Sequence, residues 1–332
     1  MPKADVVFEG GGVKGIGLVG ALQVAEEKGY EWVNIAGTSA GAIVGALLAV
    51  GYTGHELKEI MAGIDYSKFK DKGLVDRIPL LGPALSVGFE KGIFEGKYAE
   101  DWLRSLLRAK GKETFGQLVM PEYKDNPQFR YRLRVVASDL SMGSMLVLPQ
   151  DIEQYGEKAD ELDIARAVRM SMSIPYFFEP VKLKHKDSGQ DSYIVDGGIL
   201  SNYPVWLFDD GEEPLWPTFG FKLVEPDEGR QGIRHKIDGP VTLLAALFST
   251  LMEAHDARYI TDHNFARTIP ISTLDVKAID FDLPKAKADA LYESGRQGAI
   301  GFFQKWDFEK YKEEYRRGKE AIARQERVLD VA

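Results

Sequence analysis

The chain has no cysteine, which excludes disulfides and thiolate metal ligands and leaves the compartment open. Histidine is scarce: His55, His185, His235, His255 and His263 are all there is. They form no spaced metal-binding pattern, and no D-x-[DN]-x-[DN]-G calcium loop occurs, so the expectation is chemistry with no metal and no other cofactor. Long apolar runs are also missing. The longest, Ala42 to Val50, falls well short of the roughly 20 residues that a membrane-spanning helix needs. No charged and then apolar leader stands at the start, where one lysine precedes a short strand-like segment. Positive charge is in deficit: 42 Lys and Arg face 51 Asp and Glu, for a net charge of −9. That argues against nucleic acid as a partner and against broad attraction to anionic membranes. The composition suits a cytoplasmic globular protein, and it is compatible with a leaderless route out of the cell.

What is present is glycine in informative places. Gly37-Thr38-Ser39-Ala40-Gly41 lies between a strand-like run, Trp32 to Ala36, and a helical run, Ala42 to Val50. This is the context of a nucleophile elbow: a strained strand-to-helix turn that holds a serine hydroxyl clear of the sheet, with small residues two places to either side. The following helix would aim its free N–H groups and positive dipole end at the same point. Asp5 to Glu9 reads as an earlier strand running into Gly10-Gly11-Gly12-Val13-Lys14-Gly15, with a helix from about Val13 to Lys28. Two strand–glycine–helix units put both loops at one edge of a parallel sheet. An acyl-transfer serine needs donors for the oxyanion that forms on its substrate. The backbone N–H groups of Gly10, Gly11 and Gly12, with that of Ala40, are the candidates.

The same glycines fit the G-x-G-x-x-G dinucleotide fingerprint, which calls for an acidic residue about 20 positions on, at the end of the second strand. That strand ends instead in Ala36-Gly37 and enters the elbow, which disfavours a dinucleotide-binding protein. A phosphate-binding P-loop is excluded because no Gly-Lys-Ser/Thr follows.

No histidine sits in a loop that reads as a strand end at the active edge. Asp196 does: Tyr193-Ile194-Val195-Asp196-Gly197-Gly198 delivers a carboxylate from an apolar strand and follows it with two glycines. Asp-Gly is equally an ordinary turn signal, and the local pattern leaves the two readings level. Asp139 ends another apolar strand, Leu133 to Ala137, with a capping or turn role before Ser141-Met142-Gly143-Ser144 as the favoured reading.

Taken together, these motifs resemble the patatin-like phospholipase family. The resemblance rests on the glycine loop Gly10 to Gly15, the elbow Gly37 to Gly41 and the Asp196-Gly197-Gly198 triplet, in that order. Weaker likenesses fill the interval: Gly92-Ile93-Phe94-Glu95-Gly96, the strand to Leu140, and Ser171-Met172-Ser173-Ile174-Pro175 followed by Phe178-Glu179-Pro180. Lys14 stands where many members carry arginine, which keeps the charge but loses the planar fork. The resemblance implies a three-layer α/β/α fold with a mainly parallel central sheet. It implies hydrolysis of lipid acyl esters, of the phospholipase A or lysophospholipase type, by a Ser–Asp dyad. Ser39 would be the nucleophile and Asp196 the proton acceptor, with Lys14, Gly15, Gly37, Gly41, Gly197 and Gly198 supporting the motifs. It implies a lipid or acyl-ester substrate met through transient membrane-surface contact. An acyltransferase using the same serine is the alternative, since an acyl-enzyme yields to water or to another alcohol.

The organisation follows from this. Residues 5–210 form the expected catalytic domain and residues 211–332 a helical extension packed on it. Leu74 to Phe94, apolar but broken by Gly and Pro, reads as an irregular cap. Tyr98, Trp102, Leu103, Leu106 and Leu107 make a helical core stripe. Val181 to Lys186 and Asp191 to Val195 form a hairpin that carries Asp196. Residues 211–240 read as connecting structure, Pro240 to Tyr259 and Lys285 to Trp306 as helices, and the tail from Glu309 as a solvated helix.

Overall fold

The computed structural model describes residues 1–64, 94–225, 262–278, 280 and 283–317, with a few isolated positions between 237 and 250. The described strands form one sheet: β1 (Lys3–Phe8), β2 (Glu31–Thr38), β3 (Leu133–Asp139), β4 (Ser144–Leu148), β5 (Val181–Lys184), β6 (Asp191–Asp196), β7 (Thr218–Val224) and β8 (Thr268–Ser272). Their order is β5-β6-β3-β2-β1-β7-β8, with β4 paired to β3 off this path. The centre, from β3 through β2, β1 and β7 to β8, is parallel; β4, β5 and β6 run antiparallel to their partners. The helices are α1 (Gly15–Glu27), α2 (Ala40–Val50), α3 (Gly54–Ala62), α4 (Lys97–Ala109), α5 (Ile164–Ser171), α6 (Asp262–Ala266), α7 (Lys285–Phe303) and α8 (Phe308–Tyr315). The architecture is the expected three-layer α/β/α fold with a mainly parallel central sheet. None of the described helices is long and apolar enough to cross a membrane.

The central strands are apolar on both sides because both sides are covered. Phe8, Ile35, Leu133 and Phe221 face the main core with Leu22, Leu47, Leu103, Ile164 and Leu291 from the helices. Val7 and Ala36 point the other way, onto Leu207 and Phe208. In α2 every residue but Ile43 is buried, as expected of a helix that is apolar all round. The elbow therefore leads into the interior of the fold.

Beyond residue 210 the structure differs from the expectation of a purely helical extension. Thr218–Val224 and Thr268–Ser272 add two parallel strands to the sheet, and the first of them pairs directly with β1. The Pro- and charge-rich flanks of β7 hid a short apolar strand. The cap read at Leu74 to Phe94 lies, but for Phe94, outside the described residues. So does most of the helix read at Pro240 to Tyr259. The Lys285 to Trp306 helix is α7, and the start of the tail is α8.

α7 lies on α1 at backbone contact distance. A Cβ on Gly20 would sit 1.9 Å from the Tyr292 carbonyl oxygen, and one on Gly295 would sit 1.9 Å from the Gly17 carbonyl oxygen. Alanine in a helix is worth about 1 kcal/mol over glycine, but overpacking costs about 1–3 kcal/mol, and here the obstacle is backbone that cannot rotate away. Gly295→Ala should therefore lower stability, by about 1–2 kcal/mol net of the propensity gain. Gly301→Ala, on the same helix with nothing within 4 Å of its Cβ, should be neutral or stabilising. Urea unfolding of the two variants checks the contrast, and equal behaviour would mean that the α1–α7 contact yields easily.

Candidate active site

β1 and β2 end at the same sheet edge, and each hands the chain to a helix. Ser39 lies between Thr38 of β2 and the first residue of α2, with φ 52° and ψ −120°, a left-handed backbone that costs a non-glycine residue of order 1–3 kcal/mol. The glycines two places to either side are there for space. A Cβ on Gly37 would lie 2.3 Å from the Gly41 carbonyl oxygen, and one on Gly41 would lie 2.4 Å from that of Phe8. Ser39 is only 4% exposed, and the glycine loop lies close over it: a Cβ on Gly10 would come within 3.2 Å of the Ser39 Cβ.

Asp196 reaches this point by a different route. β3 pairs with β2 as far as Thr38 opposite Val136. It pairs with β6 from Asp196 opposite Ala137. β4 pairs with Val135 to Asp139 of β3, overlapping both registers. It must therefore occupy the opposite edge, and β2 and β6 share one edge, abutting end to end. The last residue of β6 thus lies beside the residue that leaves β2. The turn after Asp196 is pressed onto the same place, since a Cβ on Gly197 would meet the Val136 oxygen at 2.3 Å and Thr38 Cγ2 at 3.0 Å. Thr38 Oγ1 donates to the Ser201 carbonyl at 3.1 Å, and the Asp196 N–H donates to the Ser173 carbonyl at 3.0 Å.

The Asp196 carboxyl is fully buried. Oδ1 accepts from the Gly198 N–H at 2.8 Å; Oδ2 has no well-formed hydrogen bond, and no cation among the described residues bears on its pKa. Burial pushes its pKa up to about 7, against the smaller lowering effects of the Ser39 hydroxyl beside it and the Gly198 N–H. The Ser39 hydroxyl is thus close enough to the carboxyl to influence it, without a well-formed hydrogen bond to it.

Asp139, the other strand-end carboxylate, is turned to structural use. It accepts from Tyr155 Oη at 2.7 Å and from the backbone N–H groups of Ser141 and Met142 at 2.7 and 3.2 Å, which closes the β3–β4 turn. His55, His185 and His263 make no hydrogen bond to Ser39 or Asp196; His235 and His255 lie outside the described residues. His263 packs near the Arg267–Asp209 pair, and burial drives its pKa down to about 4.

The glycine loop departs from expectation at one position. The Gly10 N–H donates to the Asn202 carbonyl at 3.2 Å, so it is not a free donor. The Gly11, Gly12 and Ala40 N–H groups have no partner among the described residues. Gly12 has φ +57°, and a Cβ there would strike the Ala278 carbonyl oxygen at 1.9 Å. Val13 N–H donates to that oxygen at 3.0 Å. Below the loop, buried Glu9 takes Lys222 Nζ at 2.6 Å and the Leu223 N–H. Lys14 folds its stem against Gly11, 3.6 Å from where a Cβ would be, and Gly15 brings the start of α1 within 3.4 Å of the Ala40 side chain by the same measure. Two helix N-termini, with their positive dipole ends, converge beside Ser39.

A family model described as patatin-like phospholipase matches residues 6–209. The chain is 42% identical over 307 residues to the uncharacterized protein YqhO of Bacillus subtilis, covering 92% of this chain and 99% of that one. It is 25% identical over 200 residues to a protein named probable lipid hydrolase in Invertebrate iridescent virus 6, covering 60% of this chain and 61% of that one. Among solved structures it resembles VipD from Legionella pneumophila, with a TM-score of 0.54 at 18% identity, over 91% of this chain and 66% of that one. At that identity the likeness speaks for the fold.

A carboxyl whose folded pKa lies above its unfolded value favours the folded state while protonated. Its contribution is complete below the unfolded value of about 3.8 and is lost as pH rises through about 7. Asp5, raised by burial to about 6, acts in the same direction, so Asp196 is isolated by comparing variants. Between pH 4.5 and 8 the stability of Asp196→Asn relative to wild type should move in favour of the variant, by a few kcal/mol in order of magnitude. Chemical denaturation at a series of pH values measures it, and a difference independent of pH would mean that Asp196 is ionised without cost.

Proposed function

The chain belongs to the patatin-like phospholipase family, and from that premise we propose that it is a lipid acyl hydrolase, a serine carboxylic-ester hydrolase of the phospholipase A or lysophospholipase type working through a Ser39–Asp196 dyad. The observation that carries this reading is a strained serine at a helix N-terminus beside a buried carboxyl that meets no counter-charge among the described residues. An ordinary carboxylate, with a pKa of about 4, is a poor base for a hydroxyl. Desolvation brings Asp196 into the range where a general base is both ionised and basic near neutral pH.

In the proposed reaction Asp196 takes the Ser39 hydroxyl proton as Oγ attacks the ester carbonyl. The oxyanion is met by the N–H groups of Gly11, Gly12 and Ala40, assisted by the two helix dipoles. Collapse breaks the bond to the alcohol, which leaves with the proton from Asp196, and the acyl group stays on Ser39. Asp196 then takes a proton from water, whose oxygen attacks the acyl carbonyl. The second collapse returns that proton to Ser39 Oγ and frees the fatty acid. Residues 5–210 supply the reacting groups, and the later segment seats the loop above them.

Mass spectrometry after treatment with a fluorophosphonate probe should find one adduct, on Ser39, that is absent from Ser39→Ala. Asp196→Asn should lower kcat on a p-nitrophenyl acyl ester by several orders of magnitude, while single replacements of His185, His235, His255 and His263 keep most of it. A folded histidine variant as inactive as Asp196→Asn would replace the dyad with a triad.

Activity should rise with pH through a midpoint near 7 as Asp196 ionises. Because carboxyl ionisation carries little enthalpy, that midpoint should hardly move between cold and warm assays. A midpoint that falls steeply with temperature would identify an imidazole instead.

A further inference from the structure

The β2–β3 ladder has a rung in an unusual state where it ends. The Ile35 N–H donates to the Arg132 carbonyl at 2.8 Å, with Ile35 opposite Leu133. In a parallel pair, donors recur at alternate residues and each points to the carbonyl one residue before its partner. The next donors are therefore Gly37, toward Arg134, and Ser39, toward Val136. The Ser39 rung is not closed directly. The Ser39 N–H donates at 2.8 Å to the hydroxyl of Ser171, and that hydroxyl donates at 2.5 Å to the Val136 carbonyl. A single side-chain oxygen is inserted into the ladder.

Ser171 is fully buried at the last turn of α5, and α5 packs on α2, β3 and β6. Its hydroxyl makes one bond as acceptor and one as donor, which satisfies both strand groups. It holds Ser39 away from β3 by the width of that oxygen. The separation matters because Val136 is the last residue of β3 opposite β2, and Asp196 begins its pairing one residue later. A Ser39 that closed its rung directly would draw toward the sheet, lose its left-handed backbone and move its Oγ relative to the Asp196 carboxyl and the Ala40 N–H.

We propose that Ser171 is a positioning residue for the nucleophile: its hydroxyl replaces the terminal rung of the β2–β3 ladder and so fixes the elbow in its strained, reactive conformation. The inference rests on Ser39 being the nucleophile. Ser171 touches no reacting atom, and its effect passes through the Ser39 backbone.

The test measures kcat, KM and the fluorophosphonate-titratable fraction for wild type and for Ser171→Ala, Ser171→Cys and Ser171→Thr. A displacement of the order of 1 Å at a reacting group can cost about 10²-fold in rate. We expect a kcat loss of that order per titrated site in the Ala variant, with KM within about twofold of wild type. Threonine, which keeps the hydroxyl, should recover most of the rate. Cysteine, which fills the space with a poor hydrogen-bonding group, should resemble alanine and stands in for it should alanine not fold. Wild-type kcat per titrated site in the Ala or Cys variant overturns the proposal. So does equal activity of the Thr and Cys variants, because a purely structural role would follow size rather than the hydroxyl. The absence of a Ser39 adduct in the wild-type protein would overturn the nucleophile itself, a separate outcome that is read first.

Discussion

The site depends on two strands meeting end to end along one edge of β3. β2 leaves that edge after Val136, and β6, running the other way, takes it up at Ala137. Each strand end must turn out of the sheet at once because the other occupies the continuation of its path. The turn out of β2 is the elbow with Ser39; the turn out of β6 is Asp196-Gly197-Gly198. Proximity of hydroxyl and carboxyl is thus a consequence of strand registry, held by ladders on both sides, and needs no flexible side chain to bridge a gap. The glycines at 37, 41 and 197 follow from the same crowding, since each faces a neighbouring backbone carbonyl within 2.4 Å of where a Cβ would stand.

Three aspartates show how environment decides what one residue type can do. Against the raising effect of its burial, Asp209 is held below its ordinary carboxylate pKa by Arg267 and Arg316, which tie β8 and the segment after α8 to the body of the protein. Asp139 is surrounded by donors and closes a turn. Asp196 is as deeply buried as Asp139, but among the described residues its carboxyl has one firm hydrogen bond and no cation. Its strain is electrostatic, that of Ser39 is conformational, and the two lie side by side. Neither would survive in a protein optimised for stability alone.

The elbow and the first glycine loop were legible in the sequence because their requirements are local: small residues at fixed offsets between an apolar strand and an apolar helix. The choice between Asp139 and Asp196 was not local. Both end apolar strands, and what separates them is which edge of β3 their neighbours occupy, a matter of long-range registry. Gly10 illustrates the same limit. As a letter it matches Gly11 and Gly12, but its N–H is taken by Asn202, 192 residues away in the chain. Ser171 stood inside a stretch noted only for its likeness to the family. A serine at the end of a short helix gives no local sign that its hydroxyl will enter a ladder. β7 was passed over because its apolar core is short and its flanks are rich in proline and charge.

The seat of the glycine loop has a consequence for how such proteins diverge. Glu9 is gripped by Lys222 and Leu223, Gly11 lies against the Leu223 side chain, and Gly12 and Val13 rest on the Ala278 carbonyl. All of these supports lie beyond residue 209, where the match to the family ends. Substitution in the later segment can therefore shift the floor of the glycine loop while Gly10 to Gly15 and Gly37 to Gly41 stay unchanged. Two relatives with identical motifs could then hold the same loop in different positions, through residues that no motif records.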